Sequence, residues 1–259
     1  MCVIQGETEE IKNTKIYVGR VDDVTQFTVY SNEVLPKDKE VAMILPVPSS
    51  NIKILDLTNY TDIFESLGKL FPFKARSRGL MLGKPKSFNY TNSTLEITQH
   101  GSYDASIVPT TNDFNRIDDE HFKINPNMYR FLERDYPNYS FIVCKIRKGA
   151  KYHPFGYTHG IEEIHGTKLL FVPTKHYHNG SDEHADWDHK IYVLGGSTLP
   201  FRNRIGSSVR TYEKPIFGNN YDSLPALPLV PKGDVKDLDQ ITIDSLFGQN
   251  TDFRMEITV

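Results

Sequence analysis

Short runs of β-branched and aromatic residues dominate the hydrophobic pattern of this chain, and they have the length and composition of β-strands. The run that begins at Ser140 is apolar at first and then alternates between apolar and polar residues, as a strand leaving a core does. The predicted strands are Lys15–Val18, Thr25–Tyr30, Val41–Leu45, Thr94–Thr98, Ala105–Val108, Ser140–Ile146, Lys168–Val172 and Lys190–Leu194.

Two segments follow the periodicity of an amphipathic helix instead. In Thr61–Leu70 the apolar residues return every three or four positions, and Thr61 is the predicted N-cap. Pro126–Asp135 has proline in its first turn, and Met128 and Leu132 lie on one face. Two or three helices among about ten strands predict a strand-rich α+β fold with mainly antiparallel sheets.

We expect residues 1–217 to form one strand-rich domain, because the composition shows no boundary within them. From about Gly218 to Gly233 the chain is rich in proline and glycine, which predicts an arm lying across the body or a neighbouring subunit. Closing strands at Gln240–Ile243 and Phe253–Val259 complete the part at 218–259, which we expect to pack on the domain.

Charge and apolar content limit the partners and the compartment. The net charge is −3, which gives no electrostatic footprint for nucleic acid or an anionic membrane, and the short basic run at 74–78 is interpreted as a solvated loop. The N-terminus lacks the basic and apolar regions of a signal peptide. With two cysteines and no apolar run of about 18 residues, we expect a cytoplasmic protein that binds neither nucleic acid nor membrane.

One stretch is the most plausible place for metal or acid–base chemistry, because it holds seven of the nine histidines with carboxylates among them. His176 and His178 follow a predicted strand at an interval of two, so an extended chain projects both on one face. Glu183 continues the pattern His-x-His-x4-Glu, and Asp188 and His189 lead into the next strand. The seven histidines are His153, His159, His165, His176, His178, His184 and His189.

These donors predict a site for one divalent transition metal, Zn, Fe or Mn. A metal held there would polarise a carbonyl or generate hydroxide, which favours a metal-dependent hydrolase or oxygenase. The pattern from His176 to Glu183 resembles the first metal motif of cupins, although no histidine after His189 supplies the second. The alternative interpretation is a polar hairpin loop, because Asn179-Gly-Ser-Asp is a strong turn signal.

Cys2 is the second candidate site. Removal of Met1 would leave an N-terminal cysteine whose amine can act as base for its own thiol. Cys2, a strand, Gly19-Arg20-Val-Asp-Asp23 and another strand resemble the opening of choloylglycine hydrolases and penicillin V acylases, N-terminal-nucleophile amidases of αββα fold. The resemblance implies Cys2 as nucleophile, with Arg20 and Asp23 orienting the amine and the thiol.

A third hypothesis is a non-catalytic structural or assembly protein. The blocks Ala42–Pro48, Pro173–His178 and Trp187–His189 resemble uncharacterised proteins of protists and large DNA viruses, which implies a virion component among the roles considered. In this hypothesis the arm at 218–233 supplies the contacts of a homo-oligomer or assembly. The sequence therefore leaves open whether the chain is an enzyme.

Overall fold

The structure is a computed structural model of the chain. It describes residues 2–38, 40–71, 95–120, 122–147, 152–178, 180, 188–198, 207–212, 227, 238–243 and 251–257.

Strands make up most of the described residues, together with two α-helices and a 3₁₀ helix, which confirms the predicted strand-rich α+β class. The helices are α1 (Ile63–Lys69) and α2 (Pro126–Asp135), and the 3₁₀ helix is Thr111–Arg116. The strands are β1 (Cys2–Gln5), β2 (Thr8–Arg20), β3 (Thr25–Pro36), β4 (Glu40–Val47), β5 (Lys53–Leu55), β6 (Ile97–His100), β7 (Tyr103–Val108), β8 (Ser140–Arg147), β9 (Phe155–Gly160), β10 (Glu162–Ile164), β11 (Thr167–Val172), β12 (His176–Tyr177), β13 (His189–Leu194), β14 (Ser207–Thr211), β15 (Leu238–Ile243) and β16 (Phe253–Glu256).

These strands form three sheets. The six-stranded sheet has the order β12-β1-β4-β8-β7-β6, the seven-stranded sheet β14-β15-β13-β2-β3-β9-β5, and the three-stranded sheet β10-β11-β16. Pairing is antiparallel except for β1 with β12 and β2 with β13, counting the described strands. The predicted mainly antiparallel pairing is therefore confirmed.

One long antiparallel ladder connects the two larger sheets. Val3 pairs with Ile44 in the six-stranded sheet, and Ile16 pairs with Tyr30 in the seven-stranded sheet. Between them the chain turns a corner, where the Lys37 amide donates to the Glu7 carbonyl at 2.9 Å. Residues 2–20 and 25–47 thus run side by side through both sheets, and the position of β1 depends on this ladder.

Apolar side chains fill the space between the larger sheets and also cover their outer faces. Consecutive residues of β4 and β8 are buried, so both faces of the six-stranded sheet are covered. On one of those faces the rings of Phe114 and Tyr136 pack against Phe141. On the seven-stranded sheet, α1 packs through Phe64 against Tyr192 in a separate apolar cluster. No helix within the described residues is long and apolar enough to cross a membrane.

Two local predictions differ from the structure, and one division stays a prediction. Helix α1 follows Asp62 rather than Thr61, and no side-chain hydrogen bond caps it. The strand predicted at Thr94–Thr98 lies at Ile97–His100, with Thr94 outside the described residues. The predicted closing strands correspond to β15 and β16. The arm at 218–233 lies outside the described residues except for Leu227, which is buried. The division of the chain between residues 217 and 218 therefore stays a prediction.

Candidate functional site

Three of the histidines predicted to act together do lie together. Strand β12 brings His176 and His178 to the edge of the six-stranded sheet, and His189 begins β13 in the seven-stranded sheet. The ring centroids of His176 and His189 are 4.8 Å apart, and those of His176 and His178 are 6.0 Å apart. We call His176, His178 and His189 the histidine cluster. It lies where the two larger sheets approach each other.

Burial determines the charge of the histidine cluster. His176 and His189 are buried and His178 is half-buried. Burial holds the pKa of His176 and of His189 well below the ordinary value. Burial likewise lowers the pKa of His178. The three rings are therefore neutral near pH 7, and burial keeps a substrate in solution away from His176 and His189.

The second candidate site adjoins the first. Cys2 pairs with His176 and Val3 pairs with Tyr177 in the parallel ladder of β1 with β12. The sequence presented the N-terminus and the histidine segment as separate candidates, and the fold places their backbones side by side. The other cysteine, Cys144, is fully buried in β8, and burial raises the pKa of its thiol, which makes it inert.

Arg20 and Asp23 lie at the far end of β2 in the seven-stranded sheet, whereas Cys2 lies in the six-stranded sheet. Lys15 of β2 pairs with Lys190, the residue after His189, and Arg20 lies five residues further along β2, about 16 Å at strand rise. Arg20 and Asp23 form an ion pair of 3.5 Å at the exposed tip of the β2–β3 hairpin. In this fold the backbones of Arg20 and Asp23 therefore lie far from that of Cys2.

The remaining predicted metal ligands do not complete a shell around the histidine cluster. Asp188 is exposed, and its carboxylate accepts a hydrogen bond from the backbone amide of Asn13, which has a left-handed φ of 55° in a bulge of β2. Glu183 lies outside the described residues. Within the part of the chain that the structure describes, no group of three or more His, Cys, Asp and Glu side chains is arranged to hold a metal.

Three other histidines of the stretch lie elsewhere. His153 accepts a hydrogen bond from the Ser102 amide through Nε2 and packs on the β6–β7 turn. His159 is buried in β9, where Nδ1 donates to the Gly160 carbonyl at 2.8 Å and burial lowers its pKa to about 4. His165 forms the exposed β10–β11 turn with φ of 52°. None of the three lies in β12 or at the start of β13, so none belongs to the histidine cluster.

Two polar side chains that the sequence analysis missed hold the surroundings of β1. At the end of β1, Gln5 donates to the Lys123 carbonyl at 2.5 Å and accepts from the Asn125 amide at 2.8 Å. Asn125 in turn caps α2 by accepting from the Met128 amide at 2.8 Å. The second is Asp252, whose carboxylate binds the linker that leads into β12. No sequence motif marks either residue, because their partners lie far away in the chain.

Replacing Gln5 by alanine is expected to lower the free energy of unfolding by about 1–2 kcal/mol, since two hydrogen bonds to backbone groups are lost. Urea denaturation measures this change. Gln99→Ala is the control, because Gln99 lies on an edge strand and donates to the Gly101 carbonyl at only 3.3 Å. Equal losses in the two variants would show that Gln5 does not connect β1 to α2.

Searches among protein families found no family model that matches the chain. Solved structures of one viral protein do match it along nearly its whole length. The crystal structure of baculovirus P35 has a TM-score of 0.51 and 14% identity, covering 96% of this chain and 97% of that one. A mutated P35 after caspase cleavage gives 0.50 and 14%, covering 96% and 100%. P35 in the caspase-8/P35 complex gives 0.50 and 13%, covering 95% and 96%.

These matches overturn the resemblances drawn from short motifs. The chain is similar in fold to P35 and not to the αββα amidases, so the resemblance of residues 2–30 to choloylglycine hydrolases and penicillin V acylases is wrong. The cupin resemblance and the metal-dependent hydrolase or oxygenase are likewise wrong, because neither the fold nor the described donors support them. The metal itself and the roles of the individual site residues stay predictions. At 13–14% identity the likeness concerns architecture alone, and the chain has the fold of baculovirus P35.

Proposed function

We propose that this chain is a non-catalytic protein that binds a cysteine peptidase of the caspase type. The observation that carries the proposal is the match, over 95% of this chain and 96% of the other, to P35 as it occurs in a complex with caspase-8. A mutated P35 cleaved by a caspase has the same fold. P35 therefore occurs both in a complex with a caspase and as a chain cleaved by a caspase. We propose complex formation, the first of these, for this protein.

The described chemistry supports a binding protein more than an enzyme. His176 and His189 are buried, so no substrate reaches the two rings in closest contact. Arg20 and Asp23 pair with each other at an exposed turn instead of facing Cys2. The proposal includes a viral origin, because P35 is a baculovirus protein, and it keeps the cytoplasmic location expected from the sequence.

The test is to incubate the purified chain with caspase-8 and with a panel of related cysteine peptidases. The panel should contain enzymes that cleave after aspartate and enzymes that cleave after arginine or lysine, because 13% identity does not carry peptidase specificity over from P35. We expect at least one peptidase of the panel to cleave its fluorogenic substrate about tenfold or more slowly in the presence of this chain than in its absence. The same peptidase should coelute with the chain in gel filtration.

A peptidase whose nucleophilic cysteine is replaced by alanine separates binding from cleavage. Coelution with the inactive enzyme shows that the complex needs no reaction, whereas coelution with only the active enzyme shows that cleavage precedes capture. Bovine trypsin serves as the control for unspecific inhibition by a competing substrate. Unchanged rates and separate elution across the whole panel at micromolar concentrations would contradict the proposed function.

A further inference from the structure

The short strand β12 forms one wall of the slot that holds β1. It contains two residues, and its parallel ladder with β1 consists of the pairs Cys2 with His176 and Val3 with Tyr177. On its other side, β1 pairs with β4 over three residues. Val3 and Ile4 are fully buried in this slot, so the placement of β12 decides how well they stay covered.

The linker that leads into β12 is held from the C-terminal part of the chain. The backbone amides of Thr174 and Lys175 both donate to one carboxylate oxygen of Asp252 at 2.8 Å. The hydroxyl of Thr174 donates to the carbonyl of Thr251 at 3.0 Å. Asp252 directly precedes β16, which lies in the three-stranded sheet rather than beside β1.

Asp252 also binds the helix on the other side of the linker. Its second carboxylate oxygen accepts a hydrogen bond of 2.6 Å from the Tyr136 hydroxyl at the end of α2. The same helix contacts β12 through Phe131, whose ring centroid lies 4.3 Å from that of Tyr177. One carboxylate thus joins the end of α2, the β12 linker and the start of β16.

We propose that Asp252 is a positioning residue that couples the C-terminal part of the chain to the N-terminal strand, by fixing β12 as the wall of the β1 slot. This inference does not depend on peptidase binding. When Asp252 loses its carboxylate, the Thr174 and Lys175 amides lose their acceptor. The linker that leads into β12 is then no longer held in place. Opening of β1 then follows, because β12 is its partner on one side.

Amide hydrogen exchange in the full chain tests this coupling. In Asp252→Ala we expect the amides of β1, at Val3 and Ile4, to exchange at least about tenfold faster relative to those of Ile191 and Val193 in β13. Asp252→Asn should give a smaller increase, because its amide oxygen still accepts from the linker. It also keeps the test available if the alanine variant does not fold.

Glu162→Gln is the matched control for general destabilisation. Glu162 is also a mostly buried carboxylate bound to a tyrosine hydroxyl, that of Tyr139 at 3.0 Å, and it pairs with Arg254 of the same strand β16. We expect this variant to raise exchange in β1 and β13 by the same factor. The proposal is overturned if Asp252→Ala and Asp252→Asn also speed amide exchange in β1 and β13 by the same factor. It is equally overturned if Glu162→Gln speeds exchange in β1, relative to β13, as much as the Asp252 variants do.

Discussion

Gly101→Ala is expected to lower the free energy of unfolding by about 3–5 kcal/mol. Gly101 turns the β6–β7 hairpin with a left-handed φ of 60°, which an alanine adopts only with strain. An added Cβ would also lie 2.1 Å from Nε2 of His153 and 2.5 Å from Cγ2 of Thr58. His153 is fixed by its own hydrogen bonds and by the ring of Tyr103 at 5.2 Å, so it cannot move aside without loss.

Thermal and urea denaturation of matched variants separate the two causes. Gly166→Ala is the control, because Gly166 has a similar φ of 79° but nothing within 4 Å of the added Cβ, and it should lose only about 1 kcal/mol. Adding His153→Ala to Gly101→Ala should recover part of the stability by removing the clash. If the free energy of unfolding falls by the same amount in the two glycine variants, the contact with His153 does not contribute to the loss.

Acidification below pH 6.5 is expected to destabilise the protein through its buried histidines. Burial lowers the pKa of His159 from 6.5 to about 4, and it lowers the pKa values of His176 and His189 as well. Because the folded protein binds these protons more weakly than the unfolded chain, stability is complete above pH 6.5 and is lost as the pH falls below it. For His159 alone this loss amounts to about 3 kcal/mol by pH 4.

Urea denaturation at several pH values between 7.5 and 4.5 measures this loss. The Asp113 carboxylate affects a lower pH window: the hydrogen bond from Arg116 holds its pKa below the ordinary 3.8, so that contribution persists down to that pH. His159→Gln cannot take up the proton and should flatten the pH dependence. His165→Asn, at an exposed turn, should leave it unchanged. A stability that stays constant from pH 7.5 to 4.5 would contradict the prediction.

The sequence predicted those elements whose signals are local. Helix α2 has the predicted bounds, Pro126–Asp135, because proline in the first turn and the apolar positions act within the helix itself. The grouping of His176, His178 and His189 was also foreseeable, because the three residues flank two strands. In both cases the information lies within about 15 residues of chain.

The errors came from partners that are distant in the chain. The pairing of Cys2 with His176 has no local signal, because a parallel pair is set by the packing of whole sheets. The resemblance to amidases implied that Arg20 and Asp23 lie beside Cys2, but β2 is extended over 13 residues and places Arg20 far along the strand. Asp252 was overlooked since its hydrogen bonds reach back 77 and 78 residues, to Lys175 and Thr174.

The ladder that runs through both larger sheets also bears on the order in which the chain folds. Its contacts link residues close in sequence near the 21–24 tip and then extend outward to Val3 with Ile44, so each new pair closes only a small additional loop. Pairing Cys2 with His176 instead closes a loop through most of the chain. Loop entropy therefore favours formation of the ladder before β12 docks and completes the β1 slot.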